Sequence, residues 1–118
     1  MKTNFLKSIF LTALIAAFSA ISFAGDEIKE EKIKVFGNCG QCKTRIEKTL
    51  KIPEVKFAKW DKKSKILTVA YKSNAITSDS LQKLIASVGH DTEKFKAPDE
   101  VYNELPGCCL YRSGEHTH

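Results

Sequence analysis

Apolar residues recur along this chain with two different periods. Ile33 and Val35 alternate with lysines over residues 32–36, Val55, Phe57 and Trp60 mark Val55–Trp60, and residues 66–71 form an apolar run ending in Tyr71. Each stretch predicts a strand, and the polar turn Asp61-Lys62-Lys63-Ser64 joins the second and third as a hairpin. Ile46 and Leu50 lie four apart and predict a helix over about 42–51, closed by Ile52-Pro53. Leu81, Leu84, Ile85 and Val88 recur at helical spacing, with Thr77 to cap, Asp79 in the first turn and Gly89 to stop the helix. Residues 91–96 are expected as a short fourth strand.

The order strand, helix, strand, strand, helix, strand predicts an α+β, ferredoxin-like fold. Such a fold lays two helices on one face of a four-stranded antiparallel sheet. The loop before the first helix and the loop after the second then lie at one end of the domain. Beyond residue 96, Pro98 with Asp99 and Glu100 predicts one short helix, packed by Val101, Tyr102 and Leu105. Pro106-Gly107, the pair Cys108-Cys109 and a polar end with His116 and His118 complete the chain.

The first 24 residues read differently. Lys2 and Lys7 precede a run over 8–24 without charge, ending in Ser22-Phe23-Ala24. This is the pattern of a cleaved export signal, and it is shorter than the ~20 residues a spanning helix needs. The expected division is therefore 1–24 signal peptide, 25–96 main domain and 97–118 extension, with an exported, periplasmic or secreted product and no membrane insertion after cleavage. Losing Lys2 and Lys7, and no acid, lowers the net charge from +5 to +3. The lysines are spread over every element, so no nucleic-acid module is expected.

Chemistry concentrates at Cys39-Gly40-Gln41-Cys42, between the first strand and the first helix. A helix start presents unpaired backbone N–H groups and the positive end of the dipole, which favour thiolates there. Lys43 and Arg45 add positive charge. A disulfide between Cys39 and Cys42 would close almost no loop, so it would serve redox chemistry better than stability. Paired thiolates prefer soft ions, Cu(I), Hg(II) and Zn(II). Two ligands suit Cu(I), whereas structural zinc takes four.

Together with the element order, this loop, the following Lys-x-x-Ile-Glu helix (Lys43, Ile46, Glu47) and Gly89-His90-Asp91 resemble the heavy-metal-associated domain family. Its members include copper chaperones, copper-ATPase amino-terminal domains and the periplasmic mercuric-ion binding protein. The resemblance covers residues 30–95. It implies a Cu(I)- or Hg(II)-type ion held by Cys39 and Cys42 and passed by ligand exchange to a partner, a membrane metal transporter or another metal-binding domain, without enzymatic turnover. Gly37 stands where the family usually has a methionine beneath the loop, so Phe36 is expected to take part of that packing. His90, Cys108 and Cys109 are further candidate ligands. The alternative for the same cysteines is a thiol–disulfide oxidoreductase with Cys39 as nucleophile and Cys42 as resolving thiol.

Overall fold

The computed structural model describes residues 27–113; the expected signal segment 1–24, His116 and His118 lie outside the described residues. Three strands form one antiparallel sheet in the order β1-β3-β2, with β1 Ile28–Lys34, β2 Val55–Trp60 and β3 Ile66–Lys72. The central β3 alternates strictly, with Leu67, Val69 and Tyr71 buried between half-buried neighbours. This is the period-2 pattern of a sheet with one covered face.

Helices α1 (Gly40–Thr49) and α2 (Ser78–Ser87) supply Cys42, Ile46, Leu81 and Ile85 to the same core, with Leu50 following α1. Burying each large apolar side chain stabilises the fold by about 1.5–3 kcal/mol. Thr77 caps α2 as expected, its hydroxyl accepting from the Ser80 amide at 3.1 Å. Gly89 follows with φ +107°, and a Cβ there would come within 2.9 Å of Leu105. That position needs glycine for both reasons.

Two expectations are corrected. β1 begins at Ile28 and pairs along the whole of β3, so the charged residues before Lys32 belong to the strand. Pairing with a seven-residue partner outweighs their polarity, since charged side chains are tolerated on an exposed strand edge. The fourth strand, in turn, is reduced to one antiparallel bridge, Val35 with Thr92. Side chains draw this segment into a local turn. The Thr92 amide donates to Phe95 O at 2.7 Å, and the Thr92 hydroxyl accepts from the Phe95 amide at 3.0 Å. Asp91 accepts the Ala97 amide at 2.7 Å. These bonds take donors that a strand would offer its neighbour. The buried Gln82 anchors the turn, its Oε1 accepting from the Thr92 hydroxyl at 2.8 Å.

The segment after residue 96 folds back onto this end. Helix α3, Asp99–Asn103, places Tyr102 and Leu105 against the core, and two 3-10 turns follow, Gly107–Cys109 and Tyr111–Ser113. Arg112 fastens the return. Its Nη2 and Nε donate to the two Asp91 carboxylate oxygens at 2.7 and 3.0 Å, Nη1 reaches Asp99 at 2.9 Å, and Nη2 also reaches Ala97 O at 2.7 Å. The Tyr111 hydroxyl accepts from the Asp91 amide and donates to Gly89 O, both at 2.7 Å.

Burial opposes ionisation of Asp91, but the Arg112 hydrogen bonds and the Ala97 amide outweigh it and hold its pKa below the ordinary 3.8. A depressed carboxylate stabilises the fold above its unfolded pKa, and the effect is lost as pH falls through the folded value. Arg112→Ala should cost about 2 kcal/mol at neutral pH. In urea denaturation at several pH values, the difference from wild type should hold near neutrality and shrink below pH 3.8.

Candidate metal centre

Cys39 is the N-cap of α1, in extended conformation at φ −135°, and Cys42 lies in the first helical turn. This turn brings their sulfurs within 3.5 Å of each other. The Asn38 amide points to Cys42 Sγ at 3.4 Å. Below the loop lies Trp60, not Phe36. A Cβ on Gly37 would meet the Trp60 ring at 3.1 Å and Cys42 Cβ at 3.0 Å, whereas Phe36 is 40 % exposed. The indole fills this space because its Nε1 donates to Val35 O at 2.9 Å, fixing the ring beneath the loop.

Glu47 ties α1 to β2, accepting from the Trp60 amide at 2.9 Å and pairing with Lys43. Lys43 also donates to Trp60 O at 3.0 Å, so its charge is spent on the scaffold. Among the described residues, Arg45 is the cation that reaches a sulfur. Its Nη1 lies 3.4 Å from Cys109 Sγ and 3.4 Å from His90 Nε2.

His90 is fully buried, with Nδ1 2.9 Å from Phe36 O and its ring stacked on Tyr111 at 5.6 Å. A carbonyl partner requires Nδ1 to carry the proton, leaving Nε2 as the acceptor toward Arg45. Burial lowers the His90 pKa to about 4, so the ring is neutral at physiological pH. Both ring nitrogens are thus engaged away from the sulfurs.

The folded-back segment brings the other two cysteines to the loop. Cys39 Sγ lies 3.2 Å from Cys108 Sγ and 3.3 Å from Cys109 Sγ, and these two are 3.8 Å apart. Among the described residues, Cys39, Cys108 and Cys109 form the group whose ligand atoms lie mutually within 4.8 Å. All four cysteines are free thiols.

Burial opposes ionisation of Cys39, yet the Cys42 amide and the Cys108, Cys109 and Cys42 thiols prevail and bring its pKa from 9.0 to about 7. The Cys39 anion pushes Cys108 upward, and burial pushes Cys109 upward. Ionisation at this centre is therefore favoured at Cys39 and opposed at Cys108 and Cys109. Titration of the reduced protein followed by ultraviolet thiolate absorbance should show a first midpoint at about 7, and Cys39→Ser should abolish it.

The sequence matches no protein-family model and no curated protein. The fold is similar to several solved structures. One is the CopZ metallochaperone, at 26% identity and TM-score 0.52, with 54% of this chain and 98% of that chain covered. Another is the water-soluble region of the P-type ATPase CopA from Bacillus subtilis, at 30% identity and TM-score 0.54, with 58% of this chain and 46% of that one covered. The N-terminal soluble domains of the same ATPase match at 29% identity and TM-score 0.53, with 57% and 47% covered. In this fold the chain resembles a copper metallochaperone and the soluble domains of a copper-named P-type ATPase, and it carries a cysteine pair at the head of its first helix.

Proposed function

We propose that this protein is an exported carrier or scavenger of a soft metal ion, Cu(I) before Hg(II), held by Cys39 and Cys42 and passed on by ligand exchange. The observation that carries the reading is Cys39 itself, a helix-capping sulfur that ionises near neutral pH with Cys42 3.5 Å away. A sulfur whose pKa lies near 7 gives up its proton to a soft cation at little cost at that pH. Export rests on the charge and apolar pattern of residues 1–24, and assigns the protein to the periplasm or the secreted fraction.

Transfer proceeds as a partner's thiolate enters and one of the protein's sulfurs leaves, so the ion is never released to water. The partner is a membrane metal transporter or a second domain with a similar loop. Support comes from the solved relatives, a metallochaperone and soluble domains of a P-type ATPase. His90 serves here as a support for the loop, since both its nitrogens are occupied by Phe36 and Arg45. Four gathered sulfurs remove the coordination-number ground for setting zinc aside. The preference for Cu(I) then rests on thiolate softness and on the copper-named relatives.

Competition titration of the reduced protein with Cu(I) and Zn(II) tests this reading. Tight Cu(I) binding without turnover is expected, weakened about 100-fold or more, roughly 2.7 kcal/mol, in Cys39→Ser/Cys42→Ser. Disulfide reduction with turnover, and no retention of Cu(I), would select the oxidoreductase instead. His90→Phe should lower stability by about 1–3 kcal/mol while leaving Cu(I) affinity of the folded protein unchanged.

A further inference from the structure

The folded centre holds four sulfurs where the Cys-x-x-Cys loop alone would offer two. We propose that Cys108 and Cys109 are metal ligands that join Cys39 and Cys42 in an all-sulfur centre for one ion, so that the carboxy-terminal segment closes over the cargo. This rests on the reading of Cys39 and Cys42 as a soft-metal site.

The fit is geometric. With a metal–sulfur distance of about 2.3 Å, as for zinc, sulfurs sharing one ion sit about 3.8–4.0 Å apart. The observed separations from Cys39 are 3.5, 3.2 and 3.3 Å, and Cys108 to Cys109 is 3.8 Å. For the mutually close trio Cys39, Cys108 and Cys109, an entering ion therefore spreads the sulfurs by only about half an ångström, and Cys42, beside Cys39 but outside that trio, turns toward the ion to complete the set. The segment bearing Cys108 and Cys109 is fixed on both sides. Upstream, Leu105 lies over Gly89. Downstream, Arg112 grips Asp91 and Tyr111 grips Gly89. Between them the 3-10 turn is closed by the Cys109 amide on Pro106 O at 2.8 Å.

The surrounding charge suits several thiolates. Arg45 lies 3.4 Å from Cys109 Sγ, next to the charge that a monovalent cation with three or more thiolates would leave uncompensated. As the ion enters, each sulfur–hydrogen bond still present on the four cysteines, those of Cys108 and Cys109 included, gives way to a sulfur–metal bond, and the protons leave to water. The ion keeps its oxidation state. Cys109 is buried, whereas Cys108 is part-exposed beside Gln41 Oε1 at 3.5 Å. Cys108 is accordingly the first ligand that an incoming thiol displaces, and transfer begins by lifting the segment from the site.

X-ray absorption of the reduced full chain with one equivalent of Cu(I) reads the sulfur count directly. The expected result is three or four sulfurs in wild type and two in Cys108→Ser/Cys109→Ser, with release to a competing dithiol accelerated about tenfold or more. Cys108→Ser alone alters a part-exposed side chain, so it keeps the fold while also speeding release. Two sulfurs in wild type, or equal release from wild type and both tail variants, would overturn the proposal and leave the two-cysteine carrier intact. Undiminished Cu(I) binding in Cys39→Ser/Cys42→Ser would instead overturn the carrier reading itself.

Discussion

A sulfur that must be both buried and charged is the constraint around which this domain is arranged. Cys39 is 8 % exposed, and burial alone would keep it protonated. The amide of Cys42 at the helix start, and three thiols crowded against the sulfur, reverse that balance. The charge is thereby spread among polarisable neighbours rather than hydrated.

Holding the loop in that shape takes scaffolding from elements far apart in the chain. Trp60 at the end of β2 lies under Gly37 and is pinned to Val35. Glu47 fastens α1 to the same tryptophan backbone, and the Lys43 hydrogen bond outweighs burial in keeping that carboxyl ionised below its usual range. His90 braces Phe36 from the other side. Lys43, Glu47 and His90 thus hold the shape of the centre, while Arg45 and Gln41 reach sulfurs, at Cys109 and Cys108.

The loop after α2 joins the cysteine end of the domain to the segment that follows it. Asp91 binds Arg112 through both carboxylate oxygens and takes the Ala97 amide, while its own amide donates to Tyr111. Around Asp91 the stretch still makes one antiparallel bridge, with Phe36 N donating to Asp91 O at 2.9 Å and Glu93 N to Lys34 O at 3.1 Å. Beyond it, side-chain acceptors take the Phe95 and Ala97 amides and the pairing stops.

Local chemistry determined much of this protein directly from sequence. Alternation in β3, the spacing of Ile46 and Leu50, the Thr77 cap, and cysteines three apart at a helix start each depend on neighbours a few residues away, so they are legible one segment at a time. Only the tertiary structure decided what crosses the chain. It brought Cys108 and Cys109 to Cys39, 69 and 70 residues earlier. It also set Trp60 rather than Phe36 beneath the loop, and turned the His90 nitrogens to Phe36 and Arg45. No periodicity encodes such meetings, because they follow from where packing and the Asp91–Arg112 clamp carry the chain after its last regular strand.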